Sequence, residues 1–266
     1  MICKEKQIRS GREVLINLAL EYPQLYLEPG DEGAELFREV FLRQKDVSDK
    51  SLKHFVSNDG DRCFFESTPA GVVRIVELHD RSDFETFLMC IGSKCRKVEI
   101  PVTQGAVFYK GHICPDRVDA LIVLSAGPYS GVQAKDAGFD EDEWIRLSLI
   151  IRKAHECTHY VMRSLYEGKT DAVWDELVAD AAGLYAAFGR YDARLAKQFL
   201  GITGDSFTGG RLENYVSSDE TVNVQELTAR ILPVIDKFAQ ISDGKHYEDC
   251  YEYACSLEDL MDELWK

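Results

Sequence analysis

The chain has 266 residues, 45% of them hydrophobic, and a formal net charge of -15. This length and apolar content allow one large domain or two small ones, with a core of useful size. The acidic balance argues against nucleic acid as a partner, because phosphate binding needs a basic surface, and it disfavours anionic membranes.

The beginning of the chain predicts a cytoplasmic protein. Met-Ile-Cys-Lys-Glu-Lys-Gln is not followed by the apolar segment of a secretory signal. No apolar run approaches the roughly 18 residues that a membrane helix needs. The eight cysteines are an even number. Without an export signal, however, most of them are expected to be small buried hydrophobic residues and not disulfide partners.

The N-terminal region, residues 1–136, predicts a mixture of helices and short strands. Apolar spacing favours helices near 9–22 and 33–56. Segment 82–90 fits either a helix or a strand. Short β-rich runs separated by turn formers predict a small sheet. These runs are 63–65, 72–78, 97–102 and 120–124.

The C-terminal region, residues 137–266, reads as mainly helical. Asp140 opens a capping box, and the helix that follows is expected to end at Gly168. A second helix is expected from Thr170 or Asp171 to about Gly189. Further helices are predicted at 191–200, 223–241 and 246–265, with a glycine-rich loop at 201–210. The fold class is therefore α+β, and the two regions are expected to form one compact catalytic unit.

One motif lies inside the first of these helices. His155, Glu156 and His159 form an H-E-x-x-H pattern. Positions i and i+4 share one face of a helix, so both imidazoles can bind one ion, and Glu156 can act on a water at that ion. The other four histidines lie far away in sequence, so the third ligand of a zinc ion is expected to be acidic.

The next helix supplies two acidic side chains on one side. Glu176 and Asp180 are four residues apart at the border of an apolar stripe. Gly183 and Ala187 lie beside them and would let another helix approach closely. Carboxylates at the edge of a buried face need a compensating charge, which a zinc ion with two histidines would provide. Glu176 is then the third ligand, and Asp180 accepts the second N–H of a ligand histidine.

This pair of motifs resembles the gluzincin class of zinc metallopeptidases, in which H-E-x-x-H is followed on a second helix by E-x-x-x-D. The resemblance implies a zincin-like fold and zinc bound by His155, His159 and Glu176. It implies that Glu156 is the general base and that Asp180 supports a ligand histidine. The interval from His159 to Glu176 is shorter than in the large gluzincins and closer to that of compact members.

A rival third ligand exists within the same chemistry. Residues 168–171 loosely resemble the G-T-x-D segment of aspzincins, in which an aspartate binds the metal, and Asp171 holds that position here. The simpler role of Asp171 is to cap a helix. The longer pattern H-E-x-x-H-x-x-G-x-x-H is excluded, because Met162 and Leu165 occupy its glycine and histidine positions.

Gluzincin-like enzymes usually draw a donor for the oxyanion from downstream of the third ligand. The candidate catalytic residues here are Arg211, Tyr215 and His246, with Tyr247 as a further candidate. Each also has an ordinary role on the surface or in helix packing. Upstream, the run 120–124 is either an edge strand that pairs with an extended peptide or a core strand.

The sequence therefore predicts a zinc-dependent hydrolase, a metallopeptidase that cleaves a peptide or protein substrate with metal-activated water. The alternative is a non-catalytic regulatory or interaction protein that keeps a zincin-like metal site. A third possibility is an interaction module whose acidic C-terminal helix meets a basic partner, although such a charge run is usually a solvated helix face. Nothing in the sequence predicts the oligomeric state.

Overall fold

The computed structural model describes residues 6–7, 58–93, 98–110, 120–166, 171–216 and 223–265. It divides into two compact units, Met1–Gly127 and Pro128–Lys266. The described part of the first unit is a small sheet with one helix, and that of the second is mainly helical. The predicted α+β class is confirmed. The predicted helices at 9–22 and 33–56 lie outside the described residues.

The sheet of the first unit has five strands in the order β1-β2-β3-β5-β4. Strands β3 and β5 are parallel, and the other neighbouring pairs are antiparallel. Strand β5 lies inside the sheet and all six of its residues are buried. The core-strand alternative for 120–124 is therefore confirmed, and the edge strand for a peptide is wrong. The strands are β1 (Lys6–Gln7), β2 (Arg62–Thr68), β3 (Gly71–Leu78), β4 (Ala106–Lys110) and β5 (Ala120–Ser125).

Two assignments in this unit change. Segment 82–90 is a helix, α1 (Arg81–Ser93), which begins where the Asp80 side chain accepts the backbone N–H of Ser82 at 2.8 Å. The strand predicted at 97–102 is wrong, since 98–102 contain no strand. Pro101 has no N–H to donate, and Val102 is 91% exposed, so this run has neither ladder nor core to join. The strand lies further on, at β4.

The second unit contains seven helices within its described ranges, with a short hairpin and two 3₁₀ turns. The 201–210 loop forms the hairpin, and the single helix predicted at 246–265 is two helices. None of the described helices is both long and apolar enough to cross a membrane. The elements are α2 (Ala134–Ala137), α3 (Glu141–Leu165), α4 (Ala172–Phe188), α5 (Ala193–Leu200), β6 (Ile202–Thr203), β7 (Ser206–Phe207), α6 (Val224–Gly244), α7 (Cys250–Glu258) and α8 (Met261–Leu264), with 3₁₀ turns at Tyr129–Gly131 and Arg211–Tyr215.

Helices α3 and α4 begin at aspartate caps. The Asp140 side chain accepts the backbone N–H of Glu143 at 2.8 Å. The Asp171 side chain accepts those of Val173 and Trp174 at 2.9 and 3.1 Å. Such caps satisfy N–H groups that have no partner within the helix. Helix α3 ends at Leu165, before the predicted Gly168. Helix α4 ends at Phe188 and is followed by Gly189 in the left-handed conformation, as expected.

The two capped helices lie against each other at very short range. A Cβ atom placed on Gly183 would lie 2.8 Å from the carbonyl oxygen of Ile151. Contacts that pair Ile151 with Gly183, His155 with Asp180, and His159 with Asp175 show that the chain directions are opposed. This close antiparallel contact brings the H-E-x-x-H face of α3 opposite the acidic face of α4.

Candidate metal centre

Three donor groups converge between α3 and α4. The Nε2 atoms of His155 and His159 lie 3.0 Å apart. Glu176 Oε2 lies 3.4 Å from the Nε2 of His155, and its Oε1 lies 3.5 Å from that of His159. Both histidines are 5% exposed, so the imidazoles have left water almost completely. The three predicted ligands thus form one buried cluster of possible metal donors.

The spacing of these donors suits a zinc ion. Zinc bonds of about 2.0–2.1 Å at tetrahedral angles place neighbouring ligand atoms roughly 3.3 Å apart. The observed separations of 3.0, 3.4 and 3.5 Å surround that value. Two imidazole nitrogens and one carboxylate are also a donor set that zinc takes in hydrolases, with a further position left for water. The residues present therefore fit zinc.

Each histidine is held at its other nitrogen by a carboxylate. Asp180 Oδ1 lies 2.9 Å from the Nδ1 of His155, and Asp175 Oδ2 lies 2.9 Å from that of His159. Because a carboxylate accepts hydrogen bonds, it favours the tautomer in which Nδ1 carries the proton and Nε2 presents a lone pair. The carboxylate of Glu176 lies within 3.5 Å of both Nε2 atoms, so all three groups can face one cation.

The charge balance of the cluster shows in its pKa values. Burial alone would lower the pKa of His155, but hydrogen bonds to Asp180 and Glu176 and their charges outweigh burial and raise it to about 10. Burial would raise the pKa of Glu176, but the hydrogen bond to His155 and the charges of both histidines and Arg211 hold it well below its ordinary value. Glu176 is therefore ionised and available as a ligand at neutral pH.

Asp180 has partners on both oxygens. Its Oδ1 accepts the hydroxyl of Tyr129 at 2.7 Å as well as facing His155. Its Oδ2 accepts a hydrogen bond from Nη2 of Arg211. Burial would raise the pKa of Asp180, but the charge of Arg211 and the hydrogen bonds from His155 and Tyr129 lower it. Asp180 is thus kept as a carboxylate although it is 2% exposed.

The turn that carries Arg211 begins where two backbone segments lie very close together. A Cβ atom on Gly201 would lie 2.4 Å from the carbonyl oxygen of Gly209, so only glycine allows this approach. Gly201 also has φ +82°, which favours glycine independently. The close approach lies at the open end of the β6–β7 hairpin, and the 3₁₀ turn Arg211–Tyr215 follows Gly210 directly.

Tyr215 comes from the same turn and lies near a candidate metal ligand. Its side chain is half-buried, and Glu176 lies close enough to influence its pKa. Burial raises the pKa of Tyr215, the charge of Arg211 opposes the shift, and the charge and hydrogen bond of Glu176 add to it. Tyr215 therefore keeps its proton and can donate it in a hydrogen bond.

Glu156 lies on α3 between the two histidines and is half-buried. None of the residues that the structure describes forms a hydrogen bond or an ion pair with its carboxylate. A carboxylate without a described partner can accept a hydrogen bond from water.

Three of the candidate residues form no hydrogen bond or ion pair with the cluster in the part of the chain that the structure describes. His246 is exposed, and in the described ranges no hydrogen bond or ion pair joins it to the metal centre; its charge acts on Glu252. Asp171 is exposed and caps α4, so the structure does not bring this rival ligand to the histidines. Tyr247 is buried, and its backbone N–H bonds to the hydroxyl of Tyr185.

Two further residues of the centre, Tyr129 and Asp175, were not predicted. Asp175 directly precedes Glu176, and that adjacency is the signal that could have found it once the helices are known to be antiparallel. Tyr129 lies in a 3₁₀ turn, far from the motif in sequence, and no spacing rule places it.

The family model described as "Family of unknown function (DUF7005)" matches residues 116–249. This range covers just over half of the 266 residues, and the chain belongs to this family. Both helices of the candidate metal centre and the turn that carries Arg211 lie inside the matched range. No curated protein and no solved structure matches the chain.

Proposed function

We propose that the protein is a zinc-dependent hydrolase, and specifically a metallopeptidase of the gluzincin type with a zincin-like arrangement of its two site helices. The observation that carries the proposal is the convergence of two imidazole nitrogens and a carboxylate, with both remaining imidazole nitrogens held by buried carboxylates. His155, His159 and Glu176 would hold the zinc. When bound, zinc lowers the pKa of water and polarises a substrate carbonyl.

Glu156 is the general base in this proposal. It follows His155 directly on α3, and its carboxylate is not engaged by any described residue. It would accept a proton from the attacking water and deliver it to the leaving nitrogen. A single carboxylate can serve both steps, because the proton it takes in the first is the one it gives in the second.

Tyr215 is the best-placed donor for the developing oxyanion. Arg211 already donates to Asp180 and to the Tyr129 hydroxyl. Both acceptors lie at Nδ1 of His155, the nitrogen that does not face Glu176. His246 has no described contact with the cluster. Tyr215 is partly exposed, keeps its proton and lies beside Glu176, so a small movement would direct its hydroxyl at a substrate oxygen.

The experiment has a metal arm and an activity arm. Purified protein reconstituted with zinc is expected to hold about one zinc ion per chain, as this kind of site requires. It should cleave members of a peptide library, and a chelator should abolish the cleavage. Glu156→Gln is the matched variant, since it keeps the size of the side chain but not its basicity; it should retain zinc and lose hydrolysis.

Three outcomes would count against parts of the proposal. A protein that binds no zinc after reconstitution rules out the metal centre. Equal hydrolysis by Glu156→Gln rules out Glu156 as the base. Zinc binding without cleavage of any peptide would favour the alternative of a regulatory or interaction protein that keeps the metal site.

A further inference from the structure

We propose that Tyr129 is a positioning residue that fixes the direction of the hydrogen bonds at Nδ1 of His155. In that arrangement His155 presents an unprotonated Nε2 to the metal. The inference rests on the proposed metal centre and concerns metal binding, not the cleavage step. It depends on one hydroxyl group with three neighbours. The Tyr129 hydroxyl oxygen lies 2.7 Å from Asp180 Oδ1, 2.8 Å from His155 Nδ1 and 3.3 Å from Arg211 Nη1.

The chemistry of these neighbours allows one arrangement of protons. Arg211 can only donate, so the tyrosine oxygen accepts from it. The Asp180 carboxylate accepts the tyrosine hydroxyl at 2.7 Å, so the single hydroxyl proton goes to Asp180. With its proton committed, the tyrosine oxygen can only accept from His155. The Nδ1 of His155 must therefore carry a proton, which leaves Nε2 as the metal-binding nitrogen.

Helix α3 itself holds Tyr129 in place. The backbone N–H of Tyr129 donates to the Ser148 hydroxyl at 3.0 Å, and the guanidinium of Arg152 lies 5.6 Å from the centre of its ring. Ser148, Arg152 and His155 follow one another at helical spacing on α3. The helix that carries the metal ligand therefore also fixes the residue that orients it.

The turn around Tyr129 adopts a conformation that needs support. Ser130 has φ 52°, which is in the left-handed region that residues other than glycine seldom occupy. Its hydroxyl donates to the carbonyl of Phe199 at 2.6 Å, and the ring of Phe199 packs edge-on against Tyr129 at 4.7 Å. Tyr129 itself is 4% exposed. The surroundings thus maintain an unfavourable backbone geometry at Ser130, the residue that follows Tyr129.

Tyr129→Phe removes the hydroxyl and keeps the ring. Asp180 Oδ1 then loses a donor, and the Nδ1 of His155 loses one of its two acceptors. Loss of a partner that orients a metal-bound histidine typically lowers metal affinity 10- to 100-fold, and we expect about tenfold for zinc here. The cobalt-substituted protein should also show a changed visible absorption spectrum, since that spectrum reports the geometry and donors of the ligands.

The matched control is Tyr185→Phe. Tyr185 is also buried and lies on α4, the helix of Glu176 and Asp180, but its hydroxyl bonds to the backbone of Tyr247. Zinc affinity is measured by competition with a chromophoric chelator, with thermal unfolding recorded for each variant. The control should lose some thermal stability and keep the wild-type zinc affinity and cobalt spectrum.

Each outcome bears on the inference. A weaker zinc site and an altered cobalt spectrum in Tyr129→Phe alone support it. Wild-type affinity and spectrum in Tyr129→Phe overturn it and leave the proposed hydrolase standing. Equal losses in both variants also overturn it, because they would reflect the cost of losing any buried hydroxyl. A wild-type protein without metal affinity overturns both this inference and the metal centre.

Discussion

The two histidines proposed as metal ligands differ in how many side chains support them. The Nδ1 of His155 contacts Asp180 and Tyr129, and Arg211 in turn donates to Asp180. The Nδ1 of His159 contacts Asp175. The second carboxylate is less well satisfied: Asp175 Oδ1 is buried and has no hydrogen-bond partner among the described residues, and Arg163 lies 3.5 Å from Oδ2 with its side chain half exposed. Asp175 is therefore the weaker of the two supports and the more informative one to change.

Asp175→Asn is expected to lower zinc affinity by about tenfold, because a neutral amide accepts the Nδ1–H of His159 less strongly than a carboxylate does. The measurement is chelator competition on the folded protein. Asp171→Asn is the control, since asparagine also caps helices well and Asp171 begins the same helix. A loss of zinc in the control and not in Asp175→Asn would contradict the ligand set and favour Asp171.

Tyr215→Phe tests the oxyanion assignment. The variant should bind zinc as well as wild type and lower kcat by about 10²-fold, a typical effect of removing one oxyanion donor. KM should change little, since the lost interaction forms mainly in the transition state. Steady-state kinetics on a peptide found in the library screen measure both constants. An unchanged kcat would exclude Tyr215 as the oxyanion donor and favour Arg211 in that role.

Helical spacing in the sequence predicts those site residues that lie close together on one helix. His155 and His159 share a face because the helix repeat puts them there, and Glu176 and Asp180 share another for the same reason. Asp175 faces His159 only because α3 and α4 are antiparallel, and helix direction cannot be derived from spacing. Tyr129 reaches the centre through a turn with an unusual φ angle, which no periodic pattern predicts.

Among the elements, the contact between α3 and α4 determines whether the ligands meet. Gly183, Asp180 and Glu176 lie on one face of α4, at helical spacing, and they face Ile151, His155 and His159 of α3. The absence of a side chain at Gly183 lets the backbones approach, because even a Cβ would lie within 2.9 Å of Ile151 Cγ2. The two motifs are close in sequence, and the helices that carry them are packed closely against each other.

Gly183→Ala should push the helices apart and separate Glu176 from the two imidazoles. We expect a loss of about 1–3 kcal/mol in the free energy of unfolding, as for other overpacked sites, and weaker zinc binding. Chemical denaturation and chelator competition measure the two effects. Ala186→Ser changes an exposed position on the same helix and should alter stability by less than about 0.5 kcal/mol. Full stability and zinc affinity in Gly183→Ala would contradict the close contact.

Helices are predicted well where a capping residue and apolar periodicity agree. The strand predicted from the apolar run 97–102 alone is wrong. The α3 and α4 starts follow from Asp140 and Asp171, whose side chains accept backbone N–H groups at those positions. The run 97–102 looked like a strand from its residue types, but Pro101 and an exposed Val102 prevent pairing and burial. Pairing partners are set by the tertiary fold, which explains why β4 was found only in the structure.

The proposed metal centre predicts that metal binding and folding are coupled throughout the protein. The unfolded chain cannot hold His155, His159 and Glu176 together. We therefore expect zinc to bind the native state and to stabilise it by about 2.7 kcal/mol at a hundredfold excess over its Kd. Thermal unfolding with zinc and with chelator measures this gain as a rise in Tm. Glu176→Gln is the control: it keeps the shape of the side chain and removes the negative ligand, so its Tm should respond little to zinc.

The gain in Tm should also depend on pH, in a direction fixed by the ligands. Zinc binds neutral imidazoles, whereas protons compete for the same Nε2 atoms in the zinc-free protein. The zinc-bound form therefore carries fewer protons, so a higher pH favours it. The difference between the Tm values with zinc and with chelator should widen from about pH 6 to about pH 8. A difference that stays constant or narrows over this range would show that the stabilising ion does not bind through the two histidines.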